Sequence, residues 1–139
     1  MQAVVYVTEP RFLRTAAVPH LAESLRQLLP GLSRHRCECG SAHGILQELA
    51  DTETPHLLEH VVLELMALSG SPRELGGETS WDFAADGPGV FRVRLAYDDD
   101  LIALGALDIG LALVNELLER ESPSGVERDV GRLRELRAR

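Results

Sequence analysis

The chain contains no lysine; all 14 of its basic residues are arginine. That absence removes Schiff-base chemistry and the lysine of a phosphate-binding loop, and no GxxxxGK stretch offers a cradle for nucleotide phosphates. Cysteine is nearly absent as well. Cys37 and Cys39 are separated by a single residue, too close to staple distant loops, so they read as free thiols or metal ligands. An excess of positive charge is also missing. The net charge of -8 argues against nucleic acid and suits a cationic or Arg-bearing ligand. No segment approaches the roughly 18 apolar residues of a membrane span. The opening MQAVVYV looks like a strand and not a signal peptide, so the expected location is the cytoplasm, with no membrane partner.

What is present is a chain of 139 residues, 45% of them apolar, enough for one domain with a real core. Ala3 to Val7 is a β-branched run and reads as a strand. Leu21, Leu25, Leu28 and Leu29 fall at helical spacing before Pro30-Gly31 stops them. TSWDFAADGPGVFRVRLAYDDD reads as a hairpin around Asp86-Gly87-Pro88-Gly89, with Phe91, Val93 and Leu95 on one face and Val90, Arg92 and Arg94 on the other. Trp81 and Tyr97 read as packing residues of that hairpin. LIALGALDIGLALVNELLER is a long apolar helix, and Asp98-Asp99-Asp100 before it suits the positive end of its dipole. The expected fold is α+β: a small antiparallel or mixed sheet with two long helices packed on it. Residues 1–121 are expected to form the domain. Residues 122–139 are expected to form a linker and a short amphipathic helix, with Val126, Val130, Leu133 and Leu136 on one stripe.

The most informative stretch is TETPHLLEHVVLELMALSG, from Thr52 to Gly70. Thr54 and Pro55 suit a helix start. Leu57, Leu58, Val61, Val62, Leu65, Met66 and Leu68 cover one arc, which leaves His56, Glu59, His60 and Glu64 as the polar face. Histidines at i and i+4 present their rings to one point, which is how a helix offers two nitrogen ligands to zinc. His56-Leu57-Leu58-Glu59-His60 is an HxxEH string, the inverted zinc-peptidase pattern. In that chemistry the histidines hold Zn²⁺ or another divalent metal and Glu59 acts as general base. Glu64 is the candidate third ligand, although it lies eight residues from His56, about 12 Å along the axis. The alternative source is the segment His35-Arg36-Cys37-Glu38-Cys39, followed by His43. Arg36 can grip a substrate carboxylate or steady an oxyanion, and Cys37 can equally be a small buried apolar residue. The plain alternative for the whole face is a solvated helix surface.

LPGLSRHRCECG, TPHLLEHVVLELMALSG and GPGVFRVRLAYDDD, followed by a long apolar helix, together resemble the N-terminal domain of cyanophycin synthetases over about residues 28 to 118. The resemblance implies an α+β domain and a metal site in which His56 and His60 match the motif histidines, Glu59 the motif glutamate and Glu64 the glutamate that follows. His35, Arg36 and Cys37 match an auxiliary, substrate-binding block. It further implies a metal-dependent peptidase cleaving peptide or isopeptide bonds in a polymer of aspartates that each bear an arginine. A non-catalytic binding or regulatory module with the same fold is the other reading. The expected partner is an Arg-bearing peptide or Asp-Arg polymer, with self-association left open.

Overall fold

Alternation in VFRVRL sets the architecture. A computed structural model of the chain describes residues 1–36, 44–120 and 125–139. In it β3 (Val90–Leu95) lies between β1 (Gln2–Tyr6) and β2 (Gly77–Ser80), antiparallel to both. Phe91, Val93 and Leu95 are buried against the helices, while Arg92 and Arg94 point to the other side beside Gln2, Val4, Glu78 and Ser80. The sheet is therefore wholly antiparallel, and the fold is α+β.

The helices are α1 (Leu21–Leu28), α2 (Ile45–Ala50), α3 (Thr54–Leu68), α4 (Phe83–Asp86), α5 (Asp100–Glu119) and α6 (Glu127–Arg137). Helix α3 begins at Thr54, whose hydroxyl donates to the Phe12 carbonyl at 2.5 Å and so ties the start of the helix to the segment after β1 instead of capping it. The expected first hairpin arm ends sooner than its alternation suggests. At Asp82 the side chain accepts from the Ala85 N–H and turns the chain into α4, so β2 and β3 are joined through a helical turn. Asp99 caps α5 by accepting from the N–H groups of Leu101 and Ile102.

Helices α3 and α5 cross closely at Gly110, where a Cβ would stand 3.0 Å from Val62 Cγ2. At 20 residues, α5 is long and apolar enough to cross a membrane by length and composition, which the sequence reading did not anticipate. Here Ala103, Ala106, Leu113, Val114 and Leu117 are buried in the core that α3 shares. Helix α6 adds Val130 and Leu133 to the same core, and Val126 just before the helix joins them. The helix is pinned by Arg137, which donates to Asp98 at 2.8 Å and to Ser71 at 2.6 Å.

Candidate functional site

Helix α3 is buried on nearly every side, and its polar face is no solvated surface. Glu59 and His60 are each 4% exposed and Glu64 is 0% exposed. Burying carboxylates and imidazoles is costly unless each finds partners, so the partners reveal how the face is organised. His60 stands in the middle. Its Nδ1 meets His35 Nδ1 at 3.0 Å and its Nε2 meets His56 Nε2 at 3.2 Å. His35 Nε2 meets Glu64 Oε2 at 2.8 Å, and Arg73 closes the far end of the row, donating to Glu64 at 3.0 and 3.3 Å. At the near end the Thr52 hydroxyl lies 2.9 Å from His56 Nδ1 and donates to Glu53 at 3.2 Å.

Two glycines make room for the two buried carboxylates. A Cβ on Gly31 would fall 1.9 Å from Glu64 Oε1, and one on Gly77 would fall 2.9 Å from Glu59 Oε1. Thr79, two residues along β2 from Gly77, donates to Glu59 Oε2 at 2.5 Å. Burial drives the Glu59 carboxyl above its ordinary range, and the Thr79 hydrogen bond offsets only part of that rise. Burial pushes Glu64 the same way, but hydrogen bonds from His35 and Arg73 outweigh it and hold the carboxyl below its ordinary range. Burial, then His56 and His35, pushes His60 down to about 3, so its ring is neutral over the working range.

These partners fix some of the protons. Glu64, charged beside Arg73, can only accept, so His35 donates to it from Nε2. The Thr52 hydroxyl has spent its proton on Glu53 and accepts from His56 Nδ1. The Nε2 atoms of His56 and His60 face each other across 3.2 Å. Two nitrogen ligands on a tetrahedral zinc stand about 3.3 Å apart, given its usual bond lengths. The ligand atoms of His56, Glu59 and His60 all lie within 4.8 Å of one another. Two imidazoles and a carboxylate suit zinc or a similar divalent ion.

Glu64 lies outside that group, turned towards Arg73 and His35. Arg36 is exposed on the wall of the surrounding cleft, and His35 reaches the imidazole row. Cys37 and His43 lie outside the described residues. Sequence reasoning missed Arg73, Thr79 and Thr52. Each is a lone polar residue with no motif, and only the fold returns it to α3. The cleft over the cluster encloses about 990 Å³. Among its lining residues Arg34, Arg36, Glu74 and Glu78 make no ion pair among the described residues.

These features define an α+β domain whose long buried helix displays an imidazole and carboxylate cluster at the floor of a charged cleft. The chain belongs to the family of cyanophycin synthase-like N-terminal domains, whose model matches residues 4–119. It is 32% identical over 127 residues to the cyanophycin synthetase of Synechocystis sp., an alignment covering 88% of this chain and 14% of that protein. It is 29% identical over 126 residues to the one from Geminocystis herdmanii, covering 87% and 14%. The chain thus spans about one seventh of the length of these curated relatives.

The comparison overturns the expected hydrolase. The relatives are synthetases, enzymes that build cyanophycin, and neither hydrolase nor metallopeptidase describes them. The physical reason is that HxxEH spacing reports which side chains a helix turn presents together and carries no information about reaction direction. Glu59, moreover, stands among the ligand atoms with one oxygen held by Thr79, an arrangement as suitable for a ligand as for a base.

Proposed function

We propose that this chain is a polymer-binding module serving cyanophycin synthesis, built around a divalent metal, zinc in the first instance, held by His56, Glu59 and His60. The observation that carries the reading is the convergence of His56 Nε2 and His60 Nε2, 3.2 Å apart, with a Glu59 oxygen in a group spanning no more than 4.8 Å on the floor of the cleft. The bound metal would supply a fixed positive point for a ligand oxygen. The rest is the work of the chain's own residues. His35 orients His60 through the contact between their Nδ1 atoms, and Glu64 with Arg73 orients His35. Arg34 and Arg36 meet carboxylates of an Asp-Arg polymer, and Glu74 meets its guanidinium groups. A polymer carrying both signs of charge fits a cleft whose walls carry groups of both signs that make no ion pair among the described residues.

Two measurements test the reading. Elemental analysis of protein purified without a histidine tag is expected to find about one divalent ion per chain, lost in the His56→Ala, His60→Ala double variant. Metal content unchanged in that variant overturns the metal assignment. Calorimetry with a short peptide of aspartates each bearing an arginine is expected to show saturable binding that weakens with salt, as contacts between exposed charges do. No binding by the metal-loaded chain overturns the module.

A further inference from the structure

The cleft also carries the chain's one tryptophan. In β2 alternate residues face the same side, so Gly77 and Thr79 both meet Glu59. Trp81 continues that series one step past the strand end, about 7 Å along the chain from Thr79. Its ring packs 5.5 Å from Phe91 and 6.5 Å from Phe83, centre to centre. These contacts fix the indole from behind, yet it is 46% exposed and lines the cleft. A half-exposed indole braced by two other aromatic rings is costly to leave in water and well suited to receive a flat group. The same cleft is lined by Glu74, which makes no ion pair among the described residues.

We infer that Trp81 is the cleft's guanidinium platform, on which an arginine side chain of the ligand stacks while Glu74 balances its charge. The inference rests on the polymer-binding reading above and deepens it. A guanidinium is planar, weakly hydrated and cationic, so it gains from both the face of an indole and a nearby carboxylate. A lysine-bearing ligand shares the charge but not the plane, and a citrulline-bearing ligand shares the plane but not the charge.

The test uses the whole chain and its single indole as reporter. Titration with a peptide of aspartates each bearing an arginine is expected to change the Trp81 emission saturably. The counterpart peptide with citrulline in place of arginine is expected to bind at least fivefold more weakly. By calorimetry, Trp81→Ala should weaken the arginine peptide about five- to thirtyfold, and Trp81→Phe should stay within about threefold of the wild type. Thermal melting checks that both variants are folded, and metal content is measured on the same samples. If the wild type binds the arginine peptide but Trp81→Ala and the citrulline peptide bind equally well, the platform is wrong and the module stands. If the wild type binds neither peptide with its metal in place, the module itself falls and the platform falls with it.

Discussion

The two long helices divide their polar and apolar residues in opposite ways. Helix α3 buries Glu59, His60 and Glu64, which a helix normally gives to water, while α5 shows Leu101, Leu104 and Leu111 to solvent at 56%, 55% and 42% exposure. Both serve the same core. On α3 the inversion is organised, since every buried polar group has a partner, two glycines leave space for the carboxylates, and an arginine closes the row. On α5 the exposed leucines meet nothing comparable. A buried polar face with a full set of partners is what a site costs to build, whereas scattered exposed leucines are common on protein surfaces.

The sharpest way to break this contrast is to remove the space on which α3 depends. Gly31→Ala places a methyl where Glu64 Oε1 now lies. Glu64 must then move and lose its hydrogen bonds to His35 and Arg73 while still buried. Overpacking and a disturbed buried charge together are expected to cost roughly 2–4 kcal/mol in urea unfolding. A loss below about 1 kcal/mol would mean that Glu64 has another place to go and that the row is not built around it. Arg73→Ala attacks the same row from outside. It leaves Glu64 buried with His35 alone and is expected to cost about 1–3 kcal/mol, towards the lower end because Arg73 is itself 42% exposed.

Much of this contrast was legible in the sequence. The i, i+4 histidines, the adjacent Glu59 and the apolar arc of α3 follow from helical period alone. So do the two faces of β3 and the long apolar helix after Asp98-Asp99-Asp100. What could not be read were the partners that arrive through folding. Arg73 lies in a Ser-, Pro- and Gly-rich loop, Thr79 on a short edge strand and Thr52 before a helix, and nothing in their local pattern marks them. The part given to Glu64 shows the limit. Its helical phase suggested a metal ligand, but phase gives only the side of the helix, and the structure aims its carboxylate at Arg73 and His35. Helical phase also could not tell a solvated polar face from a buried one, because that depends on what lies opposite.

A second arginine–carboxylate pair sharpens the comparison. Arg137 holds Asp98 near the start of α5, with Ser71 as a third member. The Arg137 and then the Ser71 hydrogen bonds draw the Asp98 carboxyl down to about 2 from its ordinary 3.8. A depressed carboxyl stabilises the fold above its unfolded pKa, and that contribution fades as pH falls from about 4 to 2. Both partners are partly exposed, so the gain is about 1 kcal/mol or less. Arg137→Ala is therefore expected to lower stability by that amount at pH 7 and to match the wild type near pH 2. An equal loss at both pH values would mean that Arg137 acts through packing of α6 and not through its charge.

The smallest effect is expected on α5. Leu104→Gln and Leu111→Gln remove side chains that are about half in water, leave no cavity and strand no polar partner. Exposed substitutions of this kind stay within about 0.5 kcal/mol, and glutamine keeps nearly the helix propensity of leucine. Unfolding midpoints are measured for each variant at two protein concentrations tenfold apart. Midpoints that match the wild type at both concentrations keep the contrast as drawn, with α3 inverted for a site and α5 merely exposed. A loss well above 1 kcal/mol that grows with protein concentration would overturn the α5 half. The leucines would then be buried between copies of the chain, because only an associating species gains stability from its own concentration. Concentration dependence thus separates an exposed stripe from an interface, which the stability change alone cannot do.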